Sequence, residues 1–273
     1  MSDAAIEFRG VGVNVSPSRT NSAEGDAACG ERKILDGISA TIQRGTITAL
    51  LGRSGSGKTT LLRTVNGMVL PTFGSVLVDG KSVGDADLLT LRRGIGYVIQ
   101  ETGLYPHMTI ERNIAMLLEI AGRPMAERKA RAADMLRMVG LDPAQFAQRR
   151  PWQLSGGQRQ RAGVARALAG KPSILLMDEP FGALDPLTRA EMQTMLRDLL
   201  RSLSVTALIV THDLQEAVFL ADRVMMIDAG HIAADLPAGE VMQSEIPAVC
   251  QYVAAVRRFE VQFDPVQLPE TEQ

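Results

Sequence analysis

The sequence predicts an α/β fold built on a parallel sheet, and three observations carry that prediction. The first is Gly52-Arg53-Ser54-Gly55-Ser56-Gly57-Lys58-Thr59, which fits the phosphate-binding pattern G-x-x-x-x-G-K-[ST]. The apolar run 46–51 precedes it and a helical pattern over 58–68 follows it, which is the strand–loop–helix context the pattern requires. The second is the unbroken apolar run 173–177, the kind of strand covered on both faces in a parallel sheet. The third is the alternation of such runs with helical patterns along the chain.

In chain order, residues 6–15 alternate loosely and predict a first strand. Residues 16–31 are polar, contain Pro17, and predict a surface loop. Residues 34–43, with Asp36-Gly37 as a turn pair, begin a second strand region leading to the phosphate loop. Residues 74–80 predict a short strand bounded by glycines, and 94–100 another. From 109 to 140 the pattern is helical: Ile110, Ile114, Leu117 and Leu118 share a face, then Met135, Leu136 and Val139. Thr109 is placed to cap that stretch. A second helical stretch covers 155–169. Beyond the strand at 173–177 come a helix over 186–203 with Pro186 in its first turn, a strand over 205–210 and a helix over 214–221. Residues 223–236 read as a hairpin turning at Asp228-Ala229-Gly230. The helical region 101–160 lies between strands and is expected to form a lobe of its own. The tail after 259, rich in Pro, Glu and Gln, is expected to fray.

Composition narrows the partners. The 273 residues are 45% apolar and 22% charged, an ordinary globular mixture with room for a sizeable core. A net charge of −2 argues against a protein that coats nucleic acid, and no nucleic-acid partner is expected. The two cysteines, Cys29 and Cys250, are far apart and have no metal-ligand spacing, which fits a reducing compartment without a disulfide framework. No apolar run approaches the ~18 residues of a membrane span. The start of the chain lacks the pattern of a signal peptide. The expectation is a cytosolic chain that, if it works at a membrane, relies on another chain for the spans.

The phosphate loop dictates the chemistry. Without Cβ atoms, its backbone N–H groups can close around phosphate oxygens, and the following helix points its positive end at them. Lys58 is expected to reach the β- and γ-phosphates and Thr59 to place its hydroxyl on Mg²⁺. The strand at 173–177 runs into Asp178 and Glu179, and ligands in parallel α/β sheets bind beyond the carboxyl ends of strands. Asp178 is placed to hold Mg²⁺ directly or through water, and Glu179 to polarise the water that attacks the γ-phosphorus. Two acids merely ending a core strand are the alternative, which the phosphate loop disfavours. Leu154-Ser155-Gly156-Gly157-Gln158, before a helix carrying Arg159, Arg161 and Arg166, makes a second anion-seeking helix start. A Ser cap with glycines in a turn is its alternative reading.

Residues 154–158 look like the signature motif of ABC-type ATPases, and the family's other motifs follow in order. Gln100 matches the Q-loop, Asp178 and Glu179 the Walker B acids, Ala183-Leu184-Asp185 the D-loop, and Thr211-His212-Asp213 the switch histidine. The resemblance runs from about residue 34 to residue 239. It implies a P-loop NTPase with a RecA-like core, an antiparallel β subdomain and a helical subdomain at about 101–160. An ATPase domain would span 1–240, and 241–273 would be an extension of a helix and a frayed tail.

The resemblance also implies ATP and Mg²⁺ as cofactors and a second copy of the chain as partner. In the family two cassettes pair head to tail, so residues 52–60, including Thr60, face residues 154–158 of the other copy across each ATP. Thr59, Gln100 and Asp178 would serve the metal. Glu179, His212, Gln100 and Asp185 would be catalytic, with His212 contacting the γ-phosphate and orienting Glu179. The segment 101–109 would line a groove gripping transmembrane permease subunits, or is an apolar loop covering the core. His107 and His231 read as structural or surface residues.

One departure from the family stands out. An aromatic side chain usually stacks on adenine, at a position near Cys29 by residue count, yet there is no Phe, Tyr or Trp between Arg9 and Thr72. Base–aromatic stacking is worth ~1–3 kcal/mol. Comparable ATP and GTP affinities are therefore expected, unless Arg32 or another guanidinium stacks instead.

With one cassette, about a hundred residues between phosphate loop and signature, and no sustained heptads, the chain resembles transporter subunits more than soluble ABC ATPases acting on DNA or ribosomes. A free-standing cassette is similar to those of importers served by an extracytoplasmic solute-binding protein, and would sit at the cytoplasmic face of the membrane. Arg92-Arg93-Gly94-Ile95-Gly96-Tyr97-Val98-Ile99-Gln100 and the stretch 103–114 are similar to ATPases of quaternary-amine osmoprotectant importers, whose solutes include glycine betaine, choline, carnitine and proline. An importer of another small polar solute, or a lipid or solvent-resistance transporter, is the alternative. Some members carry a C-terminal domain sensing ionic strength. With 273 residues the expectation is that any such sensing lies in another subunit.

Overall fold

The computed structural model describes residues 3–15, 32–100 and 103–260, with side chains to 256. The polar stretch 16–31 with Cys29, residues Glu101 and Thr102, and the tail from 261 lie outside the described residues.

Two sheets share the chain. β1 (Ala4–Val15) pairs antiparallel with β2 (Arg32–Gln43) on one side and with β4 (Phe73–Val78) on the other, and β5 (Lys81–Ser82) completes the order β2-β1-β4-β5. The larger sheet contains β3 (Ile47–Leu51), β6 (Ile95–Val98), β7 (Ile174–Asp178), β8 (Thr206–Thr211), β9 (Arg223–Asp228) and β10 (His231–Pro237). Its order is β10-β9-β3-β8-β7-β6, all parallel except the β9–β10 hairpin.

Successive side chains of a strand point to opposite faces, so an apolar run between two layers serves two cores. Leu50, Leu176, Leu208 and Met225 pack with the antiparallel sheet and with Leu61, Leu62 and Val65 of α1 (Lys58–Val65). Ala49, Leu51, Met177, Ile209 and Met226 face the helices on the other side. The latter are α3 (Ile110–Ile120), α4 (Met125–Met138), α6 (Gly156–Ala169), α7 (Pro186–Leu203), α8 (Leu214–Leu220) and α9 (Pro247–Glu260). The short α2 (Leu88–Arg93) and α5 (Pro143–Phe146) lie between larger elements.

Several boundaries differ from the periodicity, each for a local reason. The helical stretch from 109 to 140 is two helices. Gly122, at φ 70°, ends α3 with the Arg123 N–H bonded to Leu118 O, and Pro124 lacks the N–H needed to continue. α1 stops at Val65 instead of 68, because the Met68 and Val69 N–H groups both fold back to Arg63 O. Asp36-Gly37 does not turn the chain. Gly37, at φ 72°, forms a bulge, since Val11 pairs Ile38 while Val13 pairs Leu35. The freed Asp36 N–H bonds Gly230 O, tying the small sheet to the β9–β10 turn. Thr109 caps α3 as expected, accepting from the Arg112 N–H.

Candidate active site

The 52–57 loop joins the buried end of β3 to α1, and it requires glycine twice for different reasons. A Cβ at Gly52 would lie 2.2 Å from Ile227 O, so only glycine lets the loop leave β3 against β9. Gly57 has φ 106°, and a Cβ there would lie 2.9 Å from Ile34 O on β2. No side chain caps α1, so its leading N–H groups face the loop's concavity. Lys58 is buried at 4% exposure, and its Nζ donates to Gly52 O and Arg53 O, both at 2.8 Å. An ammonium has three donors, so one is left for a phosphate. Burial lowers the Lys58 pKa, and the negative charges of Glu179 and Asp178 oppose that shift.

β7 delivers the two acids to the same place. Asp178, its last residue, accepts at 2.7 Å from Thr59 Oγ1 and lies 3.5 Å from Arg63 Nη2. The Tyr97 phenol on β6 also acts on the Arg63 guanidinium and, with Asp178, holds the Arg63 pKa up. A hydroxyl and a carboxylate side by side are hard oxygen donors of the kind Mg²⁺ takes, alongside phosphate oxygens. Among the described residues no cluster of three or more His, Cys, Asp and Glu could hold a metal by itself.

Glu179 sits just past the strand in the left-handed region, at φ 46°, with its N–H bonded to Val210 O. Such a conformation costs a non-glycine residue of order 1–3 kcal/mol and turns its side chain away from the strand's course. His212, just beyond β8, places Nδ1 3.4 Å from Glu179 Oε2. Gly182 lies near both Glu179 and Gln100: a Cβ there would be 3.9 Å from Glu179 Oε2 and 4.0 Å from Gln100 Nε2. Gln100 and Glu179 thus both reach towards Gly182, while Thr59 and Asp178 pair with each other.

The residues 154–158 form a separate start of helix. Leu154 is buried, and Ser155 and Gln158 make a reciprocal capping box at the N-terminus of α6. A Cβ at Gly157 would lie 2.4 Å from Thr188 Cγ2, so glycine allows α6 to pack on α7. Among the described residues no hydrogen bond joins 52–60 to 154–158. Asp185 caps α7, accepting from the Thr188 N–H, and the Thr188 side chain together with that backbone bond holds its carboxyl below the usual range. His107 and His231 are both exposed.

Other site residues carry no local signature. Buried Asn113 bonds Tyr105 twice, as acceptor from its N–H and donor to its O, and also donates to Met108 O and Thr109 O. Arg166 donates to Gly103 O. Together they shape the 103–109 segment that follows Gln100. Glu216 and Arg189 line the same small cavity as Glu179 and His212.

A phosphate loop at the end of a central strand, two acids at the end of its neighbour but one and a histidine aimed at the second acid define a P-loop nucleotide-binding cassette. A profile of the family described as ABC transporter matches residues 35–182. The chain belongs to that family. It is 44% identical over 203 residues to the choline transport ATP-binding protein OpuBA of Bacillus subtilis, matching 74% of this chain and 53% of that one. It is 45% identical over 223 residues to the methionine import ATP-binding protein MetN of Mesorhizobium japonicum, matching 80% of this chain and 60% of that one. The chain thus spans little more than half the length of these curated relatives. A solved structure of the ATP-binding cassette MJ0796, dimeric and bound to ADP and Pi, matches with a TM-score of 0.74 at 31% identity, over 85% of this chain and 98% of that one. No helix among the described residues is long and apolar enough to cross a membrane.

Proposed function

We propose that this chain is the ATP-hydrolysing subunit of an ABC importer and that two copies bind ATP head to tail. The observation that carries this reading is Glu179, whose charge acts on Lys58 of the phosphate loop and whose Oε2 lies 3.4 Å from His212. The loop N–H groups and the third Lys58 donor bind the phosphates. Glu179 takes the proton of the attacking water, and His212 and Gln100 hold the base and the water in line. Thr59 and Asp178, with Gln100 near the attacking water, would hold Mg²⁺, which when bound neutralises charge on the β- and γ-phosphates. Ser155, Gly156 and Gly157 of a second copy complete the site, because a capped helix start with free N–H groups suits a γ-phosphate. Asp185 acts across the same interface.

The match to a choline-transport relative supports a quaternary-amine solute, carried by separate permease subunits and delivered by an extracytoplasmic binding protein. A methionine-type solute is the second reading, because the match to that relative is as strong. Ser155→Arg is expected to keep ATP binding and lose cooperative hydrolysis, because the long side chain crowds the opposite γ-phosphate. Cooperative turnover at the wild-type rate would remove Ser155 from the site. Uptake of labelled choline, glycine betaine and methionine, compared between cells carrying the wild type and cells carrying Lys58→Ala, decides the solute. Loss of quaternary-amine uptake alone supports the first reading, and loss of methionine uptake alone the second.

A further inference from the structure

We propose that Glu216 is a positioning residue for hydrolysis: ionised, it holds Thr211 and hence the segment that presents His212 to Glu179, and couples that segment to α7 behind Asp185. This rests on the ATPase reading and names a residue outside all the motifs discussed above. Glu216 lies in the first turn of α8, 7% exposed. It lines a cavity of about 50 Å³ with Glu179, Arg189, Thr211, His212 and Asp213.

The bonding pattern calls for an acceptor at Glu216. Thr211 Oγ1 accepts from the Asp213 N–H at 3.0 Å, which leaves its own proton for the Glu216 carboxylate across the shared cavity, where it favours the ionised form. The Gln193 side chain on α7 likewise favours the ionised carboxylate. His212 lies between Thr211 and Asp213, so the bond between its two neighbours and the pull of Glu216 on Thr211 set the direction in which the loop carries the imidazole. On the other side stands Arg189, whose charge favours an ionised Glu216. Arg189 Nη2 donates to Leu184 O and its N–H to Asp185 O, while its buried Nε has no hydrogen-bond partner. The charged groups facing Glu216 are therefore Asp213 at the start of its own helix, Arg189 from α7, and Glu179 and His212 across the cavity. Farther along α7, Arg197 is engaged elsewhere, stacked 4.2 Å over Phe219.

A neutral carboxyl serves this network poorly, since its own O–H would face groups that donate. Yet burial, aided by Asp213, pushes Glu216 up to about 7 against the pull of Thr211, Arg189 and Gln193. A raised carboxyl favours the folded state fully below its ordinary value of 4.5, and that contribution is lost as pH rises through about 7. The ionised form is thus unfavourable for folding and favourable for placing His212, so the two roles come apart in one substitution.

The test is Glu216→Gln, which keeps the shape and removes the titration. ATPase rates of wild type and variant are measured from about pH 6 to about pH 8.5, together with their melting temperatures. Groups that titrate alike in both cancel in the ratio of the two kcat profiles. That ratio is expected to rise from near one at the acid end to a plateau of about tenfold, with its midpoint near 7. KM for ATP should stay within about twofold, because Glu216 does not touch the phosphate loop. The variant should melt with the wild type at about pH 4 and above it at about pH 8. A kcat ratio independent of pH, or a variant less stable than the wild type at the alkaline end, would overturn the proposal. Absence of ATP hydrolysis by the wild type would instead overturn the ATPase reading on which it rests.

Discussion

Glu179→Gln is expected to bind ATP about as tightly as the wild type and to hydrolyse it ~10²–10⁴-fold more slowly, the loss that follows when a general base is removed. The amide keeps the volume and the hydrogen-bond reach to His212, so the site stays assembled. It cannot take a proton from water. It also removes one of the two negative charges facing Lys58, which favours the γ-phosphate that must share the cavity. With hydrolysis blocked, ATP accumulates between two copies, and light scattering should report a dimer that appears with ATP and Mg²⁺ and is absent with ADP. A variant that remains monomeric with ATP and Mg²⁺, alone and together with its permease, would remove the head-to-tail sandwich from the proposal. A variant that hydrolyses at the wild-type rate would remove Glu179 as the base.

Lys58→Ala has the second large effect, and it acts on binding. Nζ bridges Gly52 O and Arg53 O and so closes the loop on itself, and in the proposed site its charge would stand against both the phosphates and the two acids. Hydrogen bonds to a charged group are worth ~1.5–3 kcal/mol each, so losing the phosphate contact alone weakens ATP binding about 10–100-fold. Two further consequences add to this. The loop carbonyls lose their donor, and Asp178 and Glu179 face the phosphates without a compensating cation. Equilibrium binding of a fluorescent ATP analogue checks the prediction. Circular dichroism should show intact helix content, since alanine is a favourable residue at the start of α1. Wild-type affinity in a folded Lys58→Ala protein would place the nucleotide elsewhere.

The parts legible in the sequence are those whose physics is local. The phosphate loop is read from eight adjacent residues, because the left-handed turn at Gly57 and the helix after Lys58 are local, although what excludes a Cβ at Gly52 is Ile227 O on β9, far along the chain. The strands ending in Asp178 and Thr211 are legible because a strand buried on both faces must be apolar throughout. Ser155 with Gln158 declares a helix start by the same short-range logic, since each caps the other within one turn. The break between α3 and α4 was missed because the apolar periodicity continues across it. The signal was nonetheless local, in Gly122 and Pro124.

By itself, then, the sequence determined the α/β class, the P-loop and the positions of the acids and the histidine along the chain. Only the tertiary structure decided the strand order β10-β9-β3-β8-β7-β6, which brings Thr59 to Asp178 across 119 positions of sequence and sets His212 against Glu179. It alone revealed that Asn113 and Arg166 hold the segment after Gln100 and that Glu216 and Arg189 stand behind the histidine. The reason is that local propensity and pattern act over one or two turns. The strength and acidity of a buried polar group depend on desolvation and on partners from other elements, which no window of sequence contains.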